Sequence, residues 1–324
     1  MKRVLILGGT GFVGRSLCEQ MAAEPALGEA RLVVPTRRRE RAKHLFTLPT
    51  VDVIQSDVNQ EGALDTLLQG VDAVVNLIAI LHGSQADFQR VHVDFPRRLA
   101  QACAKAGVHR LVHVSALGVP DDPAQAPSNY LKSKAECERL LRAQAASGLN
   151  LTVLRPSVIF GANDQFLNLF AHLQSVAPVM PLAGSDARFQ PVWVEDVAGA
   201  IVRCLLEPRT IGQTLECAGP DQLTLADLVR LAGRASGHAR PVIPLAMAEG
   251  RLQAAVLGFL PGEPLMSGDN LDSMRVPNVA SGKLPGLASL GITPASAKVV
   301  APTYLSNKAS WAQRLEFLRT FAGR

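Results

Sequence analysis

Tyr130 and Lys134 lie four residues apart in Asn129-Tyr130-Leu131-Lys132-Ser133-Lys134-Ala135-Glu136. On a helix they project from one face and can share a ligand. A free tyrosine has a pKa near ~10 and is a poor base at neutral pH, but a neighbouring ammonium and an oxidised nicotinamide both favour its phenolate. The chemistry open to such a pair is proton transfer by the tyrosine while a nicotinamide moves a hydride. The spacing is common by chance, and an exposed helical pair is the default reading. What gives it weight is its place in the chain.

A second set, Gly8-Gly9-Thr10-Gly11-Phe12-Val13-Gly14, follows the apolar run Val4-Leu5-Ile6-Leu7 and precedes the helical spacing of Arg15 to Met21. The run is too short to span a membrane and reads as a buried strand, so the glycines sit on a βα turn. Without side chains at Gly8, Gly11 and Gly14 a pyrophosphate can approach the backbone. Thr10, Phe12 and Val13 are then expected to bind the cofactor with the glycines, and the N–H groups of the first helical turn supply hydrogen bonds and a partial positive charge. Glycine also serves any tight turn, and the spacing is not the G-x-G-x-x-G of two-domain dehydrogenases. The strand before and the helix after decide for a dinucleotide.

Arg37 and Arg38 begin a basic run just beyond a second strand, Arg31-Leu32-Val33-Val34-Pro35. In a dinucleotide fold an acid at this point holds the ribose 2′-hydroxyl, whereas arginine accepts a 2′-phosphate. Thr36 stands at the acidic position and Arg37 follows it, so no carboxylate repels NADP, and the planar guanidinium suits a phosphate. A solvated helix start would not explain the missing acid. The expected cofactor is NADP(H) in preference to NAD(H).

These residues need a scaffold, and the strand and helix signals alternate. Val51 to Gln55 reads as strand three, ending near Asp57 and Val58; Asp72 to Ala79 as strand four; Arg110 to Ser115 as strand five. Helices are expected over 63–69, 95–106 and 129–146. Repeated βα units predict an α/β fold: a Rossmann-type doubly wound parallel sheet whose ligand lies beyond the carboxyl ends of the strands. Asp57, Val58, Leu77, Ile78, Ala79, Val114 and Ser115 then line the cofactor.

The chain has 324 residues, 48% of them apolar and 19% charged, as in a folded protein with a large core. Its net charge of +5 is mild for a nucleic-acid binder and no aromatics interleave the basic run, so no nucleic-acid partner is expected. Met1-Lys2-Arg3 and the following run imitate a signal peptide only briefly, and no stretch reads as a transmembrane segment. The five cysteines, Cys18, Cys103, Cys137, Cys204 and Cys217, lie far apart with no C-x-x-C. Neither a metal site nor a disulfide framework is expected, and a reducing cytoplasm is the plain inference.

With Gly8 to Gly14, Tyr130, Lys134 and Leu154-Arg155-Pro156-Ser157-Val158-Ile159-Phe160-Gly161, the chain resembles the extended and atypical branches of the short-chain dehydrogenase/reductase superfamily over roughly residues 1 to 220. The resemblance implies that Pro156, Ser157 and Val158 close over the nicotinamide, and that a hydroxyl after strand five polarises a substrate carbonyl. This sequence departs there. Alignment of Val114-Ser115-Ala116-Leu117 puts Leu117 at the hydroxyl, with Ser115 two residues early. Ser115 is the catalytic hydroxyl only with a shifted loop, and losing such a donor costs on the order of 10²–10³ in rate.

A narrower resemblance covers most of the chain. Asn129 to Glu136, Arg155 to Gly161 with Asp164, Phe166-Leu167-Asn168, Gln190 to Val197, and Leu284-Pro285-Gly286-Leu287 with Leu290-Gly291-Ile292 are similar to the NADPH-binding accessory subunits of respiratory complex I and their bacterial relatives. That resemblance implies a tightly held nucleotide with a structural role, respiratory-chain or membrane-peripheral partners, and a place at the inner membrane.

Residues 1–160, with 186–206 returning, are expected to form the nucleotide-binding domain; 161–185 and 207–324 form a smaller C-terminal substrate-type lobe. Asp196 is read as the cap of a helix from Val197 to Leu206, and His113 as a packed core residue. Leu245 to Leu260 is read as a packed amphipathic helix, and Gly262 to Pro302 as a wrap around the lobe. Three functions stay open: an active NADP-dependent reductase, epimerase or dehydratase, a nucleotide-holding structural or assembly subunit, and a quinone- or lipid-linked role near a membrane.

Overall fold

Short apolar runs become strands buried on both faces, and helical runs between them cover the sheet. In the computed structural model, which describes residues 1–246, 248–250 and 267–306, the first half of the chain forms β1 (Arg3–Leu7), α1 (Phe12–Ala23), β2 (Arg31–Thr36), β3 (Val51–Gln55), α2 (Ala63–Leu67), β4 (Ala73–Asn76), α3 (Phe95–Ala106), β5 (Arg110–Val114), α4 (Asn129–Ala145) and β6 (Asn150–Pro156). A short helix, Gln85–Phe88, passes through a π-helical turn into α3. The chain continues as α5 (Leu167–Val176), β7 (Met180–Ala183), α6 (Val194–Leu206), β8 (Thr214–Cys217), α7 (Leu225–Ser236), β9 (Val242–Leu245), α8 (Gly268–Ser273) and α9 (Ala297–Leu305).

The main sheet has seven strands in the order β8-β6-β5-β4-β1-β2-β3, all parallel. The order reverses between β1 and β4, where Leu7 pairs with Asn76. At such a switch point the crossover helices leave in opposite directions and open a crevice at the carboxyl ends. One face of the sheet packs Val4, Ile6 and Val34 under Leu17 and Met21 of α1 and Val197 and Ile201 of α6. The other packs Leu5, Leu7 and Val74 under Phe95 and Leu99 of α3 and Leu141 of α4. A separate core of Phe160, Leu167, Phe170, Leu225, Leu228 and Ala301 lies in the C-terminal part.

Several expectations shift. Thr214–Cys217, placed by the sequence in the smaller lobe, is the seventh strand of the main sheet, because Thr214 to Cys217 pair with Val153 to Pro156. Arg188 and Phe189 pair antiparallel with Thr224 and Leu223, so the returning segment joins the lobe before it reaches α6. Asp196 does not cap α6. The helix starts at Val194, three residues before the expected Val197, with Trp193 at its N-cap, and the Asp196 carboxylate accepts from the Ala295 N–H at 2.8 Å. Strand four is only Ala73–Asn76. His113 is buried in β5 as expected, and all five cysteines are buried free thiols. Most of the expected helix from Leu245 to Leu260 lies outside the described residues, as does the start of the 262–302 wrap.

Candidate functional site

The turn from β1 to α1 is built around the absence of side chains. Gly8 has φ +81°, and a Cβ on it would meet the Leu77 carbonyl carbon at 3.2 Å. A Cβ on Gly14 would fall 2.4 Å from the Gly9 Cα and 2.5 Å from the Gly8 oxygen, because α1 packs directly on its own approach loop. Gly11 occupies the N-cap and no side chain caps the helix. The N–H groups of Phe12, Val13 and Gly14 therefore face the mouth of the crevice as donors at the positive end of α1. This cradle fits a pyrophosphate.

Beside it, Thr36 ends β2, next to β1 in the sheet. Its hydroxyl accepts from the Arg38 N–H and donates to the Arg38 carbonyl, each at 3.3 Å, so it shapes the turn that carries the arginines. Arg37 and Arg38 are exposed and have no ion-pair partner among the described residues. Asp57 turns inward on its own loop, its carboxylate accepting from Asn59 N at 3.0 Å and Nδ2 at 3.1 Å. Leu77, Ile78 and Val58 are half-buried and Ala79 is exposed at the same end of the sheet. The Asn76 side chain fixes that loop by accepting from Ile78 N at 3.2 Å.

Tyr130 and Lys134 enter from α4. The Ser128 hydroxyl caps the helix by accepting from Leu131 N. The Asp269 carboxylate, contributed by α8, accepts from Asn129 N at 2.7 Å and Tyr130 N at 3.0 Å. Lys134 is 2% exposed; its Nζ donates to the Val114 carbonyl at 3.2 Å and lies 6.0 Å from the centre of the Tyr130 ring. Burial lowers the Lys134 pKa, opposed by the fields of Cys137 and Glu138. Burial pushes the Tyr130 phenol up to about 12. The expected phenolate therefore does not follow from the ammonium alone, whose pull at this distance is smaller than the cost of burying the charged ring.

Sequence reasoning missed the residues around Tyr130. His92 and Phe88 pack edge-on against its ring, with centroids at 5.7 and 6.2 Å. His92 Nε2 accepts from the Ile80 N–H at 3.1 Å, which leaves the ring proton on Nδ1, 2.9 Å from the Ser133 hydroxyl; that hydroxyl donates to the Tyr130 carbonyl. The loop beyond β4 is thereby tied to the tyrosine's helix. Burial pushes His92 down to about 2, so it stays neutral. A histidine in Arg90-Val91-His92-Val93 carries no local sign of this role, since its partners come from two other segments.

Ser115 and Leu117 extend the pairing of β5 with β6, through Ser115 N to Leu154 O at 2.7 Å and Leu117 N to Pro156 O at 2.9 Å. Both are buried. The Ser115 hydroxyl has no hydrogen-bond partner among the described residues, an arrangement that typically costs ~1–3 kcal/mol. Arg155, at the end of β6, forms a two-pronged pair with Glu138 of α4 at 2.9 and 2.8 Å. This buried pair holds the helix that bears Tyr130 to the sheet. In the following turn Ser157 N donates to Cys217 O, while the Ser157 hydroxyl and the Val158 N–H both donate to the side-chain oxygen of Asn278, at 2.6 and 2.9 Å. Asn278 is 120 residues beyond Val158 and gives no local signal of this contact.

Among the described residues no group of three or more His, Cys, Asp or Glu side chains could hold a metal ion, and no helix is long and apolar enough to cross a membrane.

The sequence pattern of the NAD dependent epimerase/dehydratase family matches residues 4–218. The chain is 29% identical over 296 residues to mouse NADH dehydrogenase [ubiquinone] 1 alpha subcomplex subunit 9, mitochondrial, covering 89% of this chain and 76% of the relative. It is 30% identical over 236 residues to the ceramide reductase of Caulobacter vibrioides, covering 72% and 70%. In shape it is similar to the dTDP-glucose 4,6-dehydratase of Streptomyces venezuelae solved with NAD and TYD bound, with a TM-score of 0.66 at 24% identity over 75% of this chain and 84% of that one.

Proposed function

The chain belongs to the NAD dependent epimerase/dehydratase family, and from that premise we propose that it holds NADP(H) for a structural or assembly purpose and does not turn it over steadily. Gly8, Gly11 and Gly14 would admit the pyrophosphate, with Thr10, Phe12 and Val13 around it. Arg37 and Arg38 would take the 2′-phosphate, Asp57 and Val58 would flank the adenine, and Leu77 to Ala79 with Val114 would line the groove. When bound, the dinucleotide would supply a hydride. The observation that carries the reading is Leu117, a buried leucine with its N–H held by Pro156, at the position where the resemblance would put a carbonyl-polarising hydroxyl. The names of the mouse relative and of the Neurospora crassa NADH-ubiquinone oxidoreductase 40 kDa subunit suggest an NADH-ubiquinone oxidoreductase assembly as partner. Residues 161–185 together with α7, β9, α8 and α9 would form the lobe that meets it.

A second reading is favoured by one pairing and one relative. Lys134 is buried beside Tyr130, and the Caulobacter vibrioides relative is named a ceramide reductase. On this reading Tyr130 gives a proton to a lipid ketone, Lys134 positions it, and Ser115 polarises the carbonyl.

Native mass spectrometry of the purified chain, followed by an NADPH oxidation assay with long-chain ketones, tests both. The expected result is one NADPH per chain and no steady oxidation. A site that takes NAD(H) in preference overturns the cofactor reading, and sustained oxidation that disappears in Tyr130→Phe selects the reductase.

A further inference from the structure

We infer that Asn278 occupies the donors of the turn after β6, so that a bound dinucleotide is gripped by its adenosine half and only weakly at its nicotinamide. The inference rests on the nucleotide-holding reading above.

Two donors aim at one acceptor. The Ser157 hydroxyl and the Val158 N–H meet the Asn278 side-chain oxygen at 2.6 and 2.9 Å, and Asn278 Nδ2 points to the Leu117 carbonyl at 3.5 Å. That pattern fixes which end of the amide is oxygen, since the reverse orientation would set an NH₂ against two donors. The backbone of Asn278 is held as firmly. Its N–H donates to Arg188 O at 2.8 Å and its carbonyl accepts from Gln190 N at 2.9 Å, in a parallel bridge with Phe189. A side chain on so well tied a backbone loses little entropy in keeping its contacts. The resemblance implies that this turn closes over the nicotinamide, whose carboxamide oxygen would suit these two donors; Asn278 presents the same carboxamide group from within the chain. At the other end of the groove, the first-turn N–H groups of α1 and the guanidiniums of Arg37 and Arg38 are not engaged by side chains among the described residues.

The test is calorimetric titration of the whole chain and its Asn278→Ala variant with NADPH, NADH, adenosine 2′,5′-bisphosphate and ADP. In the unaltered chain the preferred dinucleotide and its adenosine fragment should bind within a fewfold of each other. In Asn278→Ala the Val158 N–H is freed, while the Ser157 hydroxyl keeps the backbone carbonyl of residue 278 as a partner at 3.1 Å, and the dinucleotide should gain about several- to tenfold over its fragment while the fragment's own affinity holds. Asn278→Asp keeps an acceptor on both donors and should retain the original ratio of NADPH to fragment, which guards against a fold lost in the alanine variant. An unchanged ratio in Asn278→Ala, or an equal loss for dinucleotide and fragment, would overturn the inference. A preference for NADH and ADP would overturn the NADP reading alone, because the Asn278 ratio is still read on that pair.

Discussion

The Lys134 ammonium lies 6.0 Å from the Tyr130 ring centre, one turn away on α4, but its hydrogen bond goes to the Val114 carbonyl at 3.2 Å. The lysine thus fastens the helix to the end of β5 and leaves the phenol to be governed by burial, which pushes it up to about 12. The chain's other tyrosine, Tyr304, donates to Asp164 at 2.7 Å and is pushed far up by burial and by that carboxylate. Alkaline titration followed in the near-ultraviolet tyrosinate band should therefore show no ionisation in the folded chain below about pH 11. Since the folded Tyr130 keeps its proton where the unfolded one loses it, its contribution to stability is complete below the ordinary value of 10.0 and is lost as pH rises toward 12. A tyrosinate signal near pH 9 from the folded chain, absent in Tyr130→Phe, would contradict this account.

Acid should act through histidines. Burial drives His92 from 6.5 to about 2 and His113 from 6.5 to about 3, with the Lys134 charge adding to both. The unfolded chain gains protons below 6.5 that these rings refuse, so stability is present above that value and falls as the solution is acidified. The slope approaches ~1.4 kcal/mol per pH unit for each ring. Urea unfolding at a series of pH values should show His92→Phe flattening the acid limb, even if it lowers stability at neutral pH. A slope equal to that of the unaltered chain would mean that His92 is accessible to protons.

Arg37 is exposed at the end of β2 with Thr36 where an acid would stand. A charge-assisted hydrogen bond contributes ~1.5–3 kcal/mol, so Arg37→Ala should weaken NADPH by about ten- to a hundredfold. NADH, which lacks the 2′-phosphate, should bind the variant as it binds the unaltered chain, and raising the salt should narrow the gap between the two nucleotides. Fluorescence titration of both decides it, and equal losses for both would make Arg37 a structural residue.

How much of this was visible in the chain depends on the range of the interaction. Gly11 and Gly14 carry their own explanation, because the clash a Cβ would make there is with neighbours three to six residues away, whereas a Cβ on Gly8 would meet Leu77 from the neighbouring strand's end. The βα order was legible for the same reason, because strand and helix periodicities are local. Asp269 on the N–H of Tyr130, Asn278 on Ser157 and Val158, and the pairing of β8 with β6 join segments more than 50 residues apart, and no local pattern encodes them. Asp196 misled for a related reason. An acid near a helix start resembles a cap, yet its partner is Ala295, 99 residues on.

Leu117→Ser measures whether the missing hydroxyl is what separates this chain from a working reductase. The leucine is 2% exposed and its N–H is held by Pro156 O at 2.9 Å, so the backbone should keep its course when the side chain is shortened. Truncating a buried leucine costs ~2–5 kcal/mol, and the melting temperature should drop accordingly. If the serine hydroxyl reaches a carbonyl beside Tyr130, oxidation of NADPH with a ketone should rise by on the order of 10²-fold, the value of one preorganised donor. The double variant Leu117→Ser with Tyr130→Phe should lose that gain, since polarising a carbonyl without a proton source leaves the alkoxide unquenched. Were the unaltered chain already as fast as Leu117→Ser, and slowed by Ser115→Ala, the orphaned Ser115 hydroxyl would be the polarising group and the leucine no defect.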